Sequence, residues 1–147
     1  MAKKIRIGNV YEIPLPNGKK AYARLYKEYT LAIYEGLYDN YSQLEHDTKI
    51  YRFICVYRDV LNNPEWKIVD YKPFSNEDDA WAPPRRVIDP LTLEGRLYYK
   101  GVISKCTFDE CKDLEVAEVW DKHHVEDMLM GSKKWDDDIG KLIKQEK

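Results

Sequence analysis

The fold class follows from residues 5–26, which read I-R-I-G-N-V-Y-E-I-P-L-P-N-G-K-K-A-Y-A-R-L-Y. Apolar residues recur at every second position on both sides of Asn17-Gly18. This period of two predicts half-buried strands at residues 5–15 and 20–26. The Asn-Gly pair tolerates positive φ angles and is a strong signal for a hairpin turn. We therefore expect a β-hairpin to open the fold.

The return strand of this hairpin has two unlike faces. One face carries small apolar residues, which favour a curved or barrel-like sheet, and the other carries tyrosines with an arginine. The two sets are Ala21, Ala23 and Leu25 against Tyr22, Arg24 and Tyr26.

Further runs of apolar and β-branched residues predict more strands, at residues 31–38, 50–57, 66–71, 96–103 and 114–120. The run at 50–57 reads I-Y-R-F-I-C-V-Y and is typical of a central strand, so we expect Tyr51 and Tyr57 to be structural. Residues 72–95 contain four prolines and are predicted to form a long ordered loop.

The C-terminal part favours helix. Asp121 can cap a helix whose inner face carries Val125, Met128 and Leu129, because these residues have helical spacing. We predict one mainly β domain with a C-terminal helix (α+β) over residues 1–147. It would have about 6–8 strands in a curved antiparallel sheet or small barrel. The core would span about residues 5–131, and residues 132–147 would form a second helix or a tail.

Composition limits the class of protein. Hydrophobic residues make up 44% and charged residues 34% of 147 residues, which excludes a disordered chain. No apolar run approaches the roughly 20 residues of a membrane-spanning helix. The first residues lack the apolar run of a secretory signal, and the cysteines are three in number. We therefore predict a cytoplasmic protein with reduced thiols and no membrane association.

Charge is distributed unevenly, although the formal net charge is only -2. Residues 1–30 contain seven basic and two acidic residues, whereas residues 104–138 contain five basic and eleven acidic residues. One interpretation is ordinary solvated surface charge. The other is an acidic face that docks a basic partner, because complementary charge speeds association.

Cysteines and histidines offer the first candidates for chemistry. Cys106 and Cys111 have C-x4-C spacing, with His123 and His124 further along the chain. Structural zinc usually takes four ligands with C-x2-4-C spacing, so free thiols are favoured and we predict no metal. Cys55 lies in the most apolar run and is predicted to be a small core residue.

Other motifs point away from catalysis. The chain contains neither a glycine-rich phosphate loop nor the local signatures of the common hydrolases, so we predict no cofactor and no enzymatic activity. Basic and aromatic residues interleave at residues 19–29, as in small barrels that bind nucleic acid. The sequence pI of about 6.0 argues against that activity. The acidic runs at residues 77–79 and 136–138 fit solvated or capping charge, or else a metal or docking site.

A longer segment carries a family resemblance. Residues 8–24, G-N-V-Y-E-I-P-L-P-N-G-K-K-A-Y-A-R, resemble the opening of the immunity protein 26 family of bacterial polymorphic-toxin systems. Residues 32–34, A-I-Y, resemble the next strand of that family, and residues 124–131, H-V-E-D-M-L-M-G, resemble its closing helix. Ala23 departs from the pattern, since many relatives have glycine there.

The resemblance implies a mostly β cytoplasmic protein that binds and neutralises a cognate toxin domain without catalysis. The acidic segments favour a basic toxin as the partner. Our candidate contact residues combine exposed acidic and aromatic types, because aromatic residues anchor many interfaces. They are Glu35, Tyr38, Asp39, Tyr41, Asp78, Asp79 and Trp81. Two alternatives stay open: a small β-barrel that binds or cleaves RNA, and a general protein-interaction module.

Overall fold

The predicted hairpin forms in the computed structural model, which describes residues 4–89 and 91–132. Strands β1 (Asn9–Pro14) and β2 (Lys20–Tyr26) pair antiparallel. The remaining elements are β3 (Thr30–Tyr34), β4 (Ile50–Val56), α1 (Arg58–Leu61), β5 (Lys67–Tyr71), β6 (Arg85–Ile88), β7 (Gly95–Tyr99), β8 (Val102–Cys106), α2 (Phe108–Cys111), β9 (Glu115–Val116), β10 (Val119–Trp120) and α3 (Lys122–Leu129). Short 3₁₀ turns lie at Tyr41–Gln43 and Glu77–Ala80.

Six strands form the larger sheet, in the order β10-β4-β3-β2-β1-β5. The β1–β2, β2–β3, β3–β4 and β1–β5 pairs are antiparallel, whereas β10 pairs parallel with β4. The alternation seen in the sequence places one set of side chains from each strand on an inner face. Helices α1 and α3 supply residues to the core on that face.

The main core lies on this inner face of the larger sheet. Its residues come from β1 to β4, from α1 and α3, and from the segments beside them: Tyr11, Ile13, Leu15, Ala21, Ala23, Leu25, Leu31, Ile33, Ile54, Val56, Val60, Leu61, Trp66, Trp120, Val125 and Met128. Trp66 is fully buried, and its indole Nε1–H donates to Glu126 of α3 at 3.2 Å. The predicted cap of α3 is confirmed, because the Asp121 side chain accepts from the backbone N–H of Lys122.

The opposite face of the larger sheet is also covered, and we call it the tyrosine face. Tyr22 and Tyr34 are buried there with Val10, and Tyr38 and Tyr41 pack against them. The Tyr22 and Tyr41 ring centroids are 5.2 Å apart. The hydroxyls of Tyr22, Tyr38 and Tyr41 donate hydrogen bonds while their rings bury apolar area, so most of these tyrosines serve the fold.

Four strands form the smaller sheet, in the order β8-β7-β6-β9. The β6–β7 and β7–β8 pairs are antiparallel, and β9 pairs parallel with β6. A small cluster covers one face of this sheet and contains Ile88 and Cys111, with Cys106, Phe108 and Leu114 packed against them. Arg52 of β4 pairs with Glu115 of β9, and this ion pair links the two sheets.

The mainly β class with a C-terminal helix is confirmed, but several details differ. The ten described strands form two open sheets rather than one curved sheet or a small barrel. The predicted single strand at 96–103 is wrong, because Lys100 and Gly101 adopt positive φ angles and turn the chain between β7 and β8. The predicted loop at 72–95 contains β6, and the predicted strand at 114–120 is divided between the two sheets.

Two further predictions fail at the protein surface, and a third concerns residues that lie almost entirely outside the described part of the chain. Tyr51 and Tyr57 are each 53% exposed rather than packed in the core. The predicted third strand ends at Tyr34 instead of residue 38, and Leu37 is exposed. The second helix or tail that was predicted for residues 132–147 falls, apart from Ser132, outside the described residues.

Candidate functional site

A cavity of about 600 Å³ lies between the two sheets, and we call it the inter-sheet cavity. The larger sheet contributes the β2–β3 turn and the end of β4, and the smaller sheet contributes the face opposite its own cluster. The lining residues are Glu28, Tyr29, Cys55, Arg85, Val87, Arg96, Tyr98, Ile103, Ala117, Glu118 and Val119. This volume is within the usual range for small-molecule sites, about 300–1,000 Å³.

The register of the smaller sheet sets the cavity wall. Arg85 lies opposite Tyr98, which in turn lies opposite Ile103, so three strands place these side chains in one row. Val87 and Arg96 form the next row, since they also lie opposite each other. Neighbouring residues on a strand point to opposite faces, which explains why Arg86 and Ile88 do not line the cavity.

Arg85 is the distinctive group of this cavity. It is only 6% exposed, and its Nε atom has no hydrogen-bond partner. Its Nη1 atom is 3.5 Å from the hydroxyl of Thr30, and its Cζ atom is 5.1 Å from the centroid of the Tyr98 ring. No ion pair involves Arg85 within the described part of the chain. The site therefore contains a buried guanidinium that lacks a counter-ion.

The β2–β3 turn forms the opposite wall and has an unusual backbone. Glu28 and Tyr29 have φ angles of 60° and 52°, in the left-handed region that asparagine and glycine normally occupy. The Glu28 carboxylate accepts a hydrogen bond from the Tyr98 hydroxyl, which links the turn to the smaller sheet. Strain of this kind persists where surrounding contacts hold it, and it is common at binding sites.

Cys55 lies in the cavity but is not an activated nucleophile. Burial raises the pKa of its thiol, although the nearby Arg85 acts in the opposite direction. Its S–H group lies 3.3 Å from the backbone carbonyl of Glu28. A raised pKa keeps the thiol protonated near neutral pH, and the thiolate is the reactive form. Cys55 was predicted to be a core residue and is instead partly buried at the cavity edge.

The predicted contact residues at 35–41 border the tyrosine face. Glu35 is exposed, and its backbone carbonyl accepts from the Tyr38 hydroxyl at 2.6 Å. Tyr41 is partly buried, and its hydroxyl donates to Asp70 at 2.7 Å. Asp39 is exposed and pairs with Lys19 at 2.7 Å, and this ion pair lowers the pKa of the Asp39 carboxyl. Both tyrosines thus have structural contacts, whereas the carboxylates face solvent.

The other predicted contact residues lie around the second 3₁₀ turn. Asp78 is 84% exposed at its side chain and is 3.5 Å from Lys100. Asp79 accepts from the side-chain amide of Asn76, and the ammonium of Lys27 lies 4.7 Å from the Trp81 ring centroid. Among the described residues, no hydrogen bond or ion pair joins this group to residues 35–41.

The acidic segment near the C-terminus is largely used by the fold. Glu110 completes the cap of α2, Glu115 pairs with Arg52, Asp121 caps α3, and Glu126 accepts from both Trp66 and Lys122. The described carboxylates of this segment therefore fit the interpretation of ordinary structural and surface charge better than that of one continuous docking face.

Cys106 and Cys111 lie together beside Gly95 in the smaller sheet. A methyl group on Gly95 would lie 2.7 Å from Cys111 Sγ and 3.0 Å from Cys106 Sγ. Burial and the neighbouring Cys106 thiol raise the pKa of Cys111 to about 11. The rings of His123 and His124 in α3 contact each other at a tilt of 58°, with centroids 4.1 Å apart. Across the described ranges, no three side chains of metal-ligating type come together.

Sequence reasoning missed the inter-sheet cavity because it placed Arg85 in a loop. The signals for β6 and for the β7–β8 turn are short: R-R-V-I after two prolines, and Lys100-Gly101 between two runs that contain tyrosine and β-branched residues. Interpreting Lys100-Gly101 as a hairpin turn would have brought Tyr98 opposite Ile103.

Comparisons of the chain with protein-family models, curated proteins and solved structures found no significant match. In the described part of the chain, every helix is too short or too polar to cross a lipid bilayer.

Proposed function

We propose that this chain is a non-catalytic cytoplasmic immunity protein, which binds a cognate bacterial toxin domain and neutralises it. The observation that carries the proposal is the resemblance of residues 8–24 to the opening of the immunity protein 26 family. These residues supply β1 and most of β2, in the middle of the larger sheet. The resemblance therefore concerns the part of the chain that organises the main core.

Exposed carboxylates beside aromatic residues support protein binding as the mode of action. Glu77 and Asp78 are 80% and 84% exposed at their side chains, and each pairs only with a lysine of the same chain. Lys27, the partner of Glu77, is only 18% exposed, whereas Lys100, the partner of Asp78, is 36% exposed. An exposed ion pair such as Asp78–Lys100 contributes about 0–1 kcal/mol. A basic partner can therefore replace Lys100 at little cost, while the nearby Trp81 offers an aromatic anchor.

Co-expression tests this proposal. The proposal predicts that a toxin gene lies beside the gene for this chain, and the absence of such a gene would contradict it. When that toxin is produced in a bacterial host, we expect the cells to survive only if this chain is also present. In a binding assay with the purified toxin domain, the double variant Glu77→Lys and Asp78→Lys should bind about tenfold more weakly, because the reversed charges repel a basic partner.

A matched control is available on the smaller sheet. Asp109 of α2 is 87% exposed and pairs with Lys112, so Asp109→Lys reverses an exposed carboxylate away from Trp81. This control should leave binding unchanged. Killing by the toxin in the presence of this chain would contradict the proposal. Cleavage of RNA by the purified chain, or salt-sensitive binding of RNA, would favour the nuclease alternative.

A further inference from the structure

We infer that the inter-sheet cavity binds a small amphipathic acid, with a single carboxylate against Arg85 and an apolar body between the two sheets. This site is separate from the surface around Trp81, and the inference does not depend on toxin binding.

The buried guanidinium carries the inference. A buried charge without a counter-ion costs several kcal/mol, so proteins normally pair it or supply a ligand. Arg85 is 94% buried, lines the cavity, and has an Nε–H group with no acceptor. The Tyr98 ring and the Thr30 hydroxyl support the guanidinium but do not neutralise it. Glu28 and Glu118 also line the cavity, but among the described residues no ion pair joins either of them to Arg85. A carboxylate against the guanidinium would supply the counter-ion that it lacks.

The walls of the cavity specify the rest of the ligand. Tyr29, Val87, Ile103 and Val119 line it and are 39–62% exposed, although each is a large hydrophobic residue. Covering these side chains removes apolar surface from water, which is favourable. The structure thus combines one buried cation with an apolar enclosure, and this combination matches an acid on a hydrocarbon or aromatic body.

Charge in the lining distinguishes a carboxylate from a phosphate. The lining contains two arginines, Arg85 and Arg96, and two glutamates, Glu28 and Glu118, so its formal charge is balanced. A phosphate ester brings close to two negative charges, which the glutamates would repel. A carboxylate brings one charge, and its two oxygens match the two parallel N–H groups that a guanidinium fork presents.

Titration of the full-length protein with octanoate tests the inference, since octanoate has one carboxylate and an aliphatic chain. Calorimetry should show saturable binding at one site. In a nitrogen-15 correlation spectrum, the Nε–H signal of Arg85 should move on binding, because a carboxylate comes to lie beside its guanidinium. Octanol should bind at least tenfold more weakly because it lacks the charge, and octyl phosphate should also bind more weakly than octanoate.

Substitutions test whether octanoate binding depends on the Arg85 guanidinium or on apolar contacts alone. Arg85→Gln should weaken octanoate binding by about ten- to a hundredfold, whereas Arg96→Gln, at an exposed position of the same wall, should have a much smaller effect. If Arg85→Gln does not fold, Ile103→Glu replaces a side chain that is 62% exposed. This variant should abolish octanoate binding, because it places a negative charge on the apolar wall.

Three results would overturn the inference. The first is the absence of saturable octanoate binding, and the second is equal affinity for octanol and octanoate. The third is octanoate binding that leaves the Arg85 Nε–H signal and the Ile103→Glu affinity unchanged. Each of these results would leave toxin neutralisation intact, so the two proposals fail independently.

Discussion

The two sheets of this protein differ in how their faces are used. The larger sheet buries both faces, one in the main core and one under the tyrosines. The smaller sheet buries one face against a small cluster, while its other face lines the inter-sheet cavity. The larger sheet can therefore support stability, and the smaller sheet can keep an incompletely neutralised arginine beside open space. Functional sites are commonly found in such less stable regions.

The largest expected effect is the difference in stability loss between matched truncations, one in the main core and one in the cluster of the smaller sheet. Ile33 is fully buried in the larger sheet, and Ile88 is 7% exposed in the cluster of the smaller sheet. Ile→Ala substitutions in cores cost about 2–5 kcal/mol, and the cost depends on how well the site can relax. We expect the loss of unfolding free energy to lie near the upper end of this range for Ile33→Ala and near the lower end for Ile88→Ala. Urea unfolding measures both, and equal losses would contradict the comparison.

Gly95→Ala tests the packing of the smaller sheet alone. The added methyl group would meet Cys111 Sγ at 2.7 Å and the backbone oxygen of Cys106 at 2.9 Å. Overpacking of this kind typically costs about 1–3 kcal/mol. Hydrogen exchange should increase in β6 to β8 and remain slow in β1 to β4. In a Cys111→Ala background the cost should fall, because the shortest of the three close contacts is removed. An unchanged cost would show that the Cys111 sulfur is not responsible.

The ion pair between Arg52 and Glu115 tests the connection between the two sheets. Their side chains are 19% and 23% exposed, and the Arg52 Nε–H donates to Glu115 at 3.0 Å. A double-mutant cycle with Arg52→Gln and Glu115→Gln should give a coupling of about 1–2 kcal/mol. The same cycle on the exposed Lys100–Asp78 pair should give less than about 1 kcal/mol. Similar coupling energies for the two pairs would mean that the partly buried Arg52–Glu115 pair is no stronger than an exposed one.

Alkaline pH should weaken the tyrosine face. Burial, reinforced by hydrogen bonds to Glu12 and Asp70, raises the pKa values of Tyr22 and Tyr41. A raised pKa means that the folded state favours the protonated hydroxyl. Its contribution to stability is therefore complete below about pH 10, the ordinary tyrosine pKa, and declines as the pH rises above that value.

Urea unfolding between pH 8 and pH 11 measures this dependence. The double variant Tyr22→Phe and Tyr41→Phe should lose stability less steeply above pH 10 than the parent. Tyr51→Phe serves as the control, since Tyr51 is 53% exposed. A parent and a double variant with the same slope would rule out these two hydroxyls as the source.

Most of the larger sheet could be predicted from the sequence, because its signals are local. Strand β2 has the predicted bounds, and the Asn17-Gly18 turn and the Asp121 cap depend on neighbouring residues. The smaller sheet was predicted only in part: strands were expected at residues 96–103 and 114–120, but β6 and the turn between β7 and β8 were not. Strand β6, Arg85–Ile88, is short and begins with two arginines, so its local signal is weak. Hydrophobic periodicity also does not show whether an arginine such as Arg85, in a segment predicted to be a loop, is buried by strands that are distant in the sequence. The inter-sheet cavity depends on that long-range packing.

The path of the chain has a consequence for biosynthesis. After β5 the chain leaves the larger sheet, forms the smaller one, and returns only at β10, which pairs with β4. Trp120, Val125 and Met128 of the main core lie after that return. On the ribosome, the inner face formed by β1 to β4 therefore emerges long before its final cover. The nascent chain must carry exposed apolar surface during that interval, and such surface is what chaperones recognise.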